Sequence, residues 1–350
     1  MTAANDRPLI SFCVLAYNQE RFIREAVEAA LAQSYEPLEV ILSDDCSSDR
    51  TFAIMKEVAS SYQGPHKAIL NGNPRNSGVG VHVNRTVELS AGPLVVLAAG
   101  DDVSLPDRVQ CLCDEWLRLK KLPTSIYSDY EAIDGDGRMI EEDFERYPFS
   151  GSRSAGLGDI RRFLRGNHPA SRFLGATHAF SRELFNVFGP LNTDVSFEDK
   201  VIGFRSLLHG SFAYVPRKLV RYRMHDNNLC GRNVSSRASR YERVRQKIAI
   251  AAAKNHHWTP VLNNYRADLN RFASRGGLTR DECAALLLET DRCLKVKGCE
   301  YRIDTGRPLV ALYALLCLLT LRPHWSDGWS ATKHWLFRAA DYTHMLPGRG

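Results

Sequence analysis

Four short apolar runs alternate with segments of helical period in the first hundred residues. This alternation confines the chain to a small set of folds. Residues 8–16 (PLISFCVLA), 38–43 (LEVILS), 67–70 and 93–99 read as buried strands. Between them, residues 20–33 carry Phe22, Ile23, Ala26, Val27, Ala30 and Leu31 at helical spacing, and 51–61 and 81–90 read as further helices. Strands joined by helices imply right-handed βαβ units and a largely parallel sheet. The expected class is α/β, with a mixed, mostly parallel central sheet flanked by helices.

The second half continues less regularly. Residues 106–119 read as a helix and 124–130 as a strand, and Asp134-Gly135-Asp136-Gly137 reads as a hairpin tip. Residues 143–172 look irregular and arginine-rich, 173–180 strand-like, and 181–188 a short helix ending at Gly189-Pro190. A helix over 197–208 opens on Glu198-Asp199, and a strand follows over 213–222. From about 231 the pattern is helical. Residues 232–254 are basic, and 308–321 (PLVALYALLCLLTL) are the most apolar stretch. That stretch is too short to cross a bilayer. Both a buried helix and an interfacial helix flanked by Arg307, Arg322, His324, Trp325 and Trp329 fit it. The expected division is 1–230 as one α/β domain (halves of about 8–105 and 106–230), with 231–350 as a helical extension that is a candidate for peripheral membrane contact through 308–321.

A formal charge of +6 is mild for 350 residues and does not call for a nucleic-acid partner. The N-terminal residues 1–7 hold no apolar segment, so no secretory signal is expected. Nine scattered cysteines read as free thiols of a cytoplasmic protein. The oligomeric state is not legible.

Chemistry concentrates where apolar runs end. Residues 95–106 (VVLAAGDDVSLP) lead from a strand through Gly100 into Asp101-Asp102. Adjacent carboxylates repel unless a cation or donors neutralise them. Hard cations such as Mg²⁺ take carboxylate and phosphate oxygens. The pair therefore suits a metal or phosphate centre, and a solvated turn would look the same. Asp44-Asp45 closes the second strand, where the carboxylates could meet a base or a ribose, although composition alone favours a helix-capping loop. Asn76-Ser77-Gly78-Val79-Gly80 and Asn84 form a loop that permits close approach. Glu198-Asp199 at a helix start suits a general base or simple dipole compensation. His225 suits a metal ligand or a surface residue.

Taken in order, these pieces resemble the family 2 glycosyltransferases of bacterial polysaccharide and glycan type, which have the GT-A fold. The resemblance runs over residues 8–228: SFCVLAYN at 11–18, LEVILSDDCSSDRT at 38–51, RNSGVGVHVN at 75–84, GDDVSLP at 100–106, residues 175–192, and LVRYRMHDNN at 219–228. It implies that Tyr17, Asn18, Asp44, Asp45, Asn76 and Asn84 hold the nucleotide. It implies Asp101 near the ribose or metal, Asp102 as the main ligand of Mg²⁺ or Mn²⁺, and His225 completing that site. Asp199 would be the base, supported by Glu198. The implied reaction is inverting transfer from a nucleotide-diphosphate sugar, UDP-linked by expectation, to a glycan or lipid-linked acceptor. The chain departs at Ala99, where the family often has an aspartate. A nucleotidyltransferase or a non-catalytic carbohydrate- or nucleotide-binding protein are the competing classes.

Overall fold

The computed structural model describes residues 7–120, 123–140, 153–154, 156–172, 174–225, 228 and 257–305. The basic segment 232–254, the apolar stretch 308–321 and residues 143–152 lie outside the described residues.

The sheet begins with β1 (Ile10–Ala16), β2 (Leu38–Asp44), β3 (Lys67–Gly72) and β4 (Leu94–Ala99), linked by α1 (Ile23–Leu31), α2 (Thr51–Ser61) and α3 (Val79–Leu89). These four strands are parallel and lie in the order β3-β2-β1-β4. The chain moves outward from β1 to β3 and then returns to the other side of β1. The C-terminal ends of β1 and β4 thus flank a topological switch point, where α/β sheets bind ligands. Burial on both faces explains why β1 reads as a continuous apolar run, with Ile10, Phe12, Cys13 and Val14 inaccessible to solvent.

A two-residue strand, β5 (Val103–Ser104), follows the acidic turn, and α4 (Arg108–Arg118) and β6 (Pro123–Ile133) come next. Then come β7 (Arg153–Ser154), α5 (Leu157–Leu164), β8 (His178–Ser181), α6 (Glu183–Phe188), α7 (Glu198–His209) and β9 (Ser211–Arg223). β8 runs antiparallel to β4 and β6, β9 runs parallel to β6, and β5 pairs antiparallel with β9. The sheet is therefore mixed and mostly parallel in its first half.

Two expectations are corrected here. The irregular region contains α5, which buries Ile160, Phe163 and Leu164 along one face. Its brevity and its arginines hide that periodicity. The strand-like run at 173–180 is a strand only from His178. Before it, Gly175–Thr177 forms a 3-10 turn that the Thr177 N–H and hydroxyl close by donating to Leu174 O.

Two C-terminal helices, α8 (Trp258–Ser274) and α9 (Arg280–Thr305), pack against this half. Val261, Leu262, Tyr265, Leu269, Leu286 and Cys293 belong to the same apolar cluster as Val95 of β4 and Phe204 of α7. Fully buried Arg205 donates to both oxygens of Asp268 at 2.8 and 3.1 Å, tying α7 to α8. No helix among the described residues is long and apolar enough to cross a membrane.

Candidate active site

Three acidic pairs stand at the ends of these elements. The first, Asp44-Asp45, spends its oxygens on loops. The Ser47 N–H and hydroxyl donate to Asp44 at 2.8 and 2.5 Å. Asp45 accepts from Asn73 Nδ2 at 2.8 Å and from the N–H groups of Ser77 and Gly78 at 3.0 Å. Gly78 sits at φ 79°, in the left-handed region, and α3 begins beyond it. Asn18, at φ 51°, accepts the Ser48 N–H at 2.8 Å, and the Asn18 N–H donates to Ser47 Oγ at 2.8 Å. The loops after β1, β2 and β3 are thereby knitted into one wall. Tyr17 projects from that wall, 47% exposed.

The sequence resemblance put Asn76 and Asn84 beside the nucleotide. Asn76 Oδ1 accepts the Gly78 N–H at 3.2 Å, at the surface of the wall. Asn84 is engaged elsewhere: its Nδ2 donates to Leu191 O at 2.9 Å and its Oδ1 accepts the Leu191 N–H at 2.8 Å. That amide clasps the loop before α7.

The second pair, Asp101-Asp102, follows Gly100, where a Cβ would come within 2.5 Å of Gln19 Oε1 and 3.0 Å of the Ala16 Cβ. Only glycine lets the turn lie this close to the β1 loop. Asp101 Oδ2 lies 2.9 Å from His225 Nε2, joining the turn to the end of β9. The His225 ring packs on Phe22, centroids 4.8 Å apart. Asp102 Oδ1 accepts the Arg223 N–H at 2.8 Å, while its Oδ2 is buried without a hydrogen-bond partner. Burial, and then the neighbouring Asp101, hold the Asp102 carboxyl well above the usual carboxylate range. Such an orphaned oxygen beside a like charge is an unsatisfied demand for positive charge.

Arg223 is the residue that motif reading left without a role. Its Nε donates to Asp101 O at 2.9 Å and its Nη2 to Glu25 Oε2 at 2.5 Å, with the guanidinium over Phe22. Asn228 then accepts the His225 N–H and donates to Arg223 O. The arginine fixes the acidic turn, and the asparagine fixes the strand end that carries His225. The strand also carries Arg217, Lys218 and Arg221, so only burial, not sequence pattern, singles Arg223 out.

The third pair, Glu198-Asp199, opens α7, where the helix dipole favours negative charge. Asp199 Oδ2 pairs with Lys200 Nζ at 2.8 Å, and Tyr265 of α8 donates to Lys200 O at 3.2 Å. Glu198 is pushed up to about 8, first by burial and then by Asp199. Its Oε1 rests on Gly175, where any Cβ would collide with it. The two carboxyls of this pair therefore have different environments, an arrangement suited to proton handling.

A divalent cation fits the second pair by donor chemistry. The carboxylates of Asp101 and Asp102 are oxygen donors that suit Mg²⁺ or Mn²⁺, and His225, in contact with Asp101, adds a nitrogen donor that softer divalent metals favour. Among the described residues no three His, Cys, Asp or Glu side chains gather as a metal cluster. Protein ligands would thus share the cation with phosphate oxygens and water, as is usual for Mg²⁺.

A sequence profile for glycosyl transferase family 2 matches residues 11–188, just over half of the chain. The protein belongs to this family and is a glycosyltransferase. Chondroitin synthase of Escherichia coli is 31% identical over 137 residues, covering 39% of this chain and 19% of that protein. An uncharacterised protein of Mycobacterium tuberculosis is 28% identical over 225 residues, covering 63% of this chain and 60% of that one. The chain thus spans less than two thirds of the length of these relatives. The crystal structure of S. aureus TarS 1-349 in complex with UDP-GlcNAc superposes with a TM-score of 0.52 at 17% identity, covering 97% of this chain and 93% of that one. At that identity the likeness concerns the fold, which is GT-A. Family, fold and enzyme class agree with the sequence resemblance.

Proposed function

We propose that the protein transfers a sugar, with inversion, from a nucleotide-diphosphate sugar to a hydroxyl of a glycan or lipid-linked acceptor. One observation carries the reading most directly. The 2.9 Å contact of Asp101 with His225, next to the unpartnered Asp102 oxygen and beside the switch point, supports a cation site there. Exposed Tyr17 offers a ring for a base to stack on, and Asn18, Asp44, Asp45 and Asn76 shape the wall beside it. A UDP-sugar is the first donor to test, because a protein of the same fold is bound to UDP-GlcNAc.

We assign the cation to Asp102 as the main ligand, with Asp101 and His225 beside it. Asp102 Oδ1 accepts the Arg223 N–H, which leaves Oδ2, buried and without a hydrogen-bond partner, to face the cation. When bound, Mg²⁺ or Mn²⁺ neutralises the charge that develops on the departing diphosphate. Asp199 accepts the acceptor hydroxyl's proton as that oxygen bonds to the anomeric carbon. The bond from that carbon to the phosphate oxygen breaks on the opposite face, and no covalent enzyme intermediate forms. Glu198 sets the charge around Asp199. We further propose, on sequence alone, that residues 308–321 bring the enzyme to an anionic membrane. Sedimentation with anionic liposomes tests this, and failure to co-sediment rejects it.

The test of the reaction is release of nucleoside diphosphate from a panel of UDP- and GDP-sugars with Mn²⁺ and candidate acceptors. Metal-dependent release from one donor is the expected result. Binding without release under every acceptor condition would reject the transfer reading.

A further inference from the structure

We infer that Arg108 is a positioning residue for this reaction: its buried guanidinium braces the Asp101-Asp102 turn against the turn that seats Glu198. The inference rests on the transfer site proposed above, and Arg108 itself touches neither donor nor acceptor there.

Arg108 is the first residue of α4 and lies in its apolar stripe with Val109, Leu112, Cys113 and Trp116. It has no solvent exposure. Arginine is almost never fully buried unless ion-paired. Yet among the described residues no carboxylate oxygen stands within ion-pair distance of it. Asp102 is the acidic neighbour that favours its charge, and burial pushes Arg108 down to about 9. The fold therefore carries a poorly compensated cation that a methionine would replace without the desolvation penalty.

The geometry explains its presence. Nη2 donates to Leu97 O of β4 at 2.7 Å, and Nη1 donates to Ser104 Oγ of β5 at 2.9 Å. These two residues flank the acidic turn on either side. Nη2 also donates to Ala176 O at 2.7 Å, in the 3-10 turn beside Gly175. Gly175 is the surface on which Glu198 rests. One planar group thus joins the cation turn to the support of the catalytic helix start. A lysine ammonium has the charge but not the fork that reaches three separate segments.

Arg108→Lys and Arg108→Met in the full chain test this. With Arg108→Lys, turnover of UDP-GlcNAc with Mn²⁺ is expected to fall about 100-fold, as misplacement by an ångström does, while Mn²⁺-dependent UDP affinity stays within about 3-fold. Arg108→Met should fall further, so that lysine gives partial rescue. Amide exchange in ligand-free protein should rise together at residues 99–105 and 174–178 in both variants, with β3 unchanged. In the wild type these two segments should open with one shared dependence on urea, a measurement that requires no variant to fold. Wild-type turnover in Arg108→Lys, or independent opening of the two segments, overturns the brace. A wild-type protein that releases nucleoside diphosphate from no donor defeats the transfer reading instead, and the joint opening still decides the brace.

Discussion

Asp44-Asp45 and Asp101-Asp102 look alike in sequence, each closing an apolar strand, and the structure makes them opposites. The first pair is saturated: Ser47, Asn73, Ser77 and Gly78 supply donors to both carboxylates. The second is starved. Asp101 meets a histidine, and Asp102 keeps a buried oxygen without a hydrogen-bond partner. The donors around Asp44 and Asp45 hold loops in place, whereas Asp102 has one N–H donor at Oδ1 and none at Oδ2, the oxygen to which we assign a cation. The number of donors facing a carboxylate, rather than the carboxylate itself, separates structure from chemistry.

The largest effect belongs to the third pair, against which both others are measured. Asp199→Asn should lower nucleoside diphosphate release by about 10³-fold with UDP binding intact. Release at the wild-type rate would remove Asp199 as the base. Next, Asp101→Asn should weaken Mn²⁺-dependent UDP binding by at least about 10-fold in titration calorimetry while leaving stability within about 0.5 kcal/mol. The saturated pair should behave in reverse. Asp45→Ala strands the N–H groups of Ser77 and Gly78 and should cost about 2–3 kcal/mol, read as a fall of about 5 °C in Tm. Equal stability losses at Asp45 and Asp101 would erase the distinction between the pairs.

A further effect depends on pH. Glu198 is raised to about 8 in the folded protein from an ordinary value of 4.5. A raised carboxyl binds its proton more tightly when folded, so its stabilisation is complete below about pH 4.5 and is lost as pH rises through about 8. Glu198→Gln removes that loss. Its Tm should gain on wild type between about pH 5 and about pH 9, and parallel Tm curves would show Glu198 to be unperturbed. Smallest is Cys46, a non-glycine residue at φ 60° directly after the saturated pair. Cys46→Gly relieves left-handed backbone strain and should raise stability by about 0.5–1 kcal/mol in urea unfolding. A loss of stability would mean that the thiol makes a contact that offsets the strain.

Much of the first half was legible because both faces of its strands are buried and its helices are amphipathic. Residues 51–61 fold as the expected helix to the residue, and the acidic pairs stand at strand ends as the pattern implied. The second half was harder. α5 and the 3-10 turn at Gly175–Thr177 are short, and their conformation depends on what covers them. Asn84 shows the limit for a single residue. Its position after the 76–80 loop suggested a ligand, but its amide faces Leu191, 107 residues away in the chain.

By itself the sequence determined the alternating architecture, the placement of three acidic pairs at element ends, and the family. Those follow from periodicity and from residue order, both of which are local. Tertiary structure alone decided which carboxylates are satisfied, that His225 reaches Asp101 across 124 residues, and that a buried arginine links two turns. Hydrogen-bond supply and burial are set by distant segments arriving together. No spacing along the chain encodes how many donors a folded carboxylate will meet.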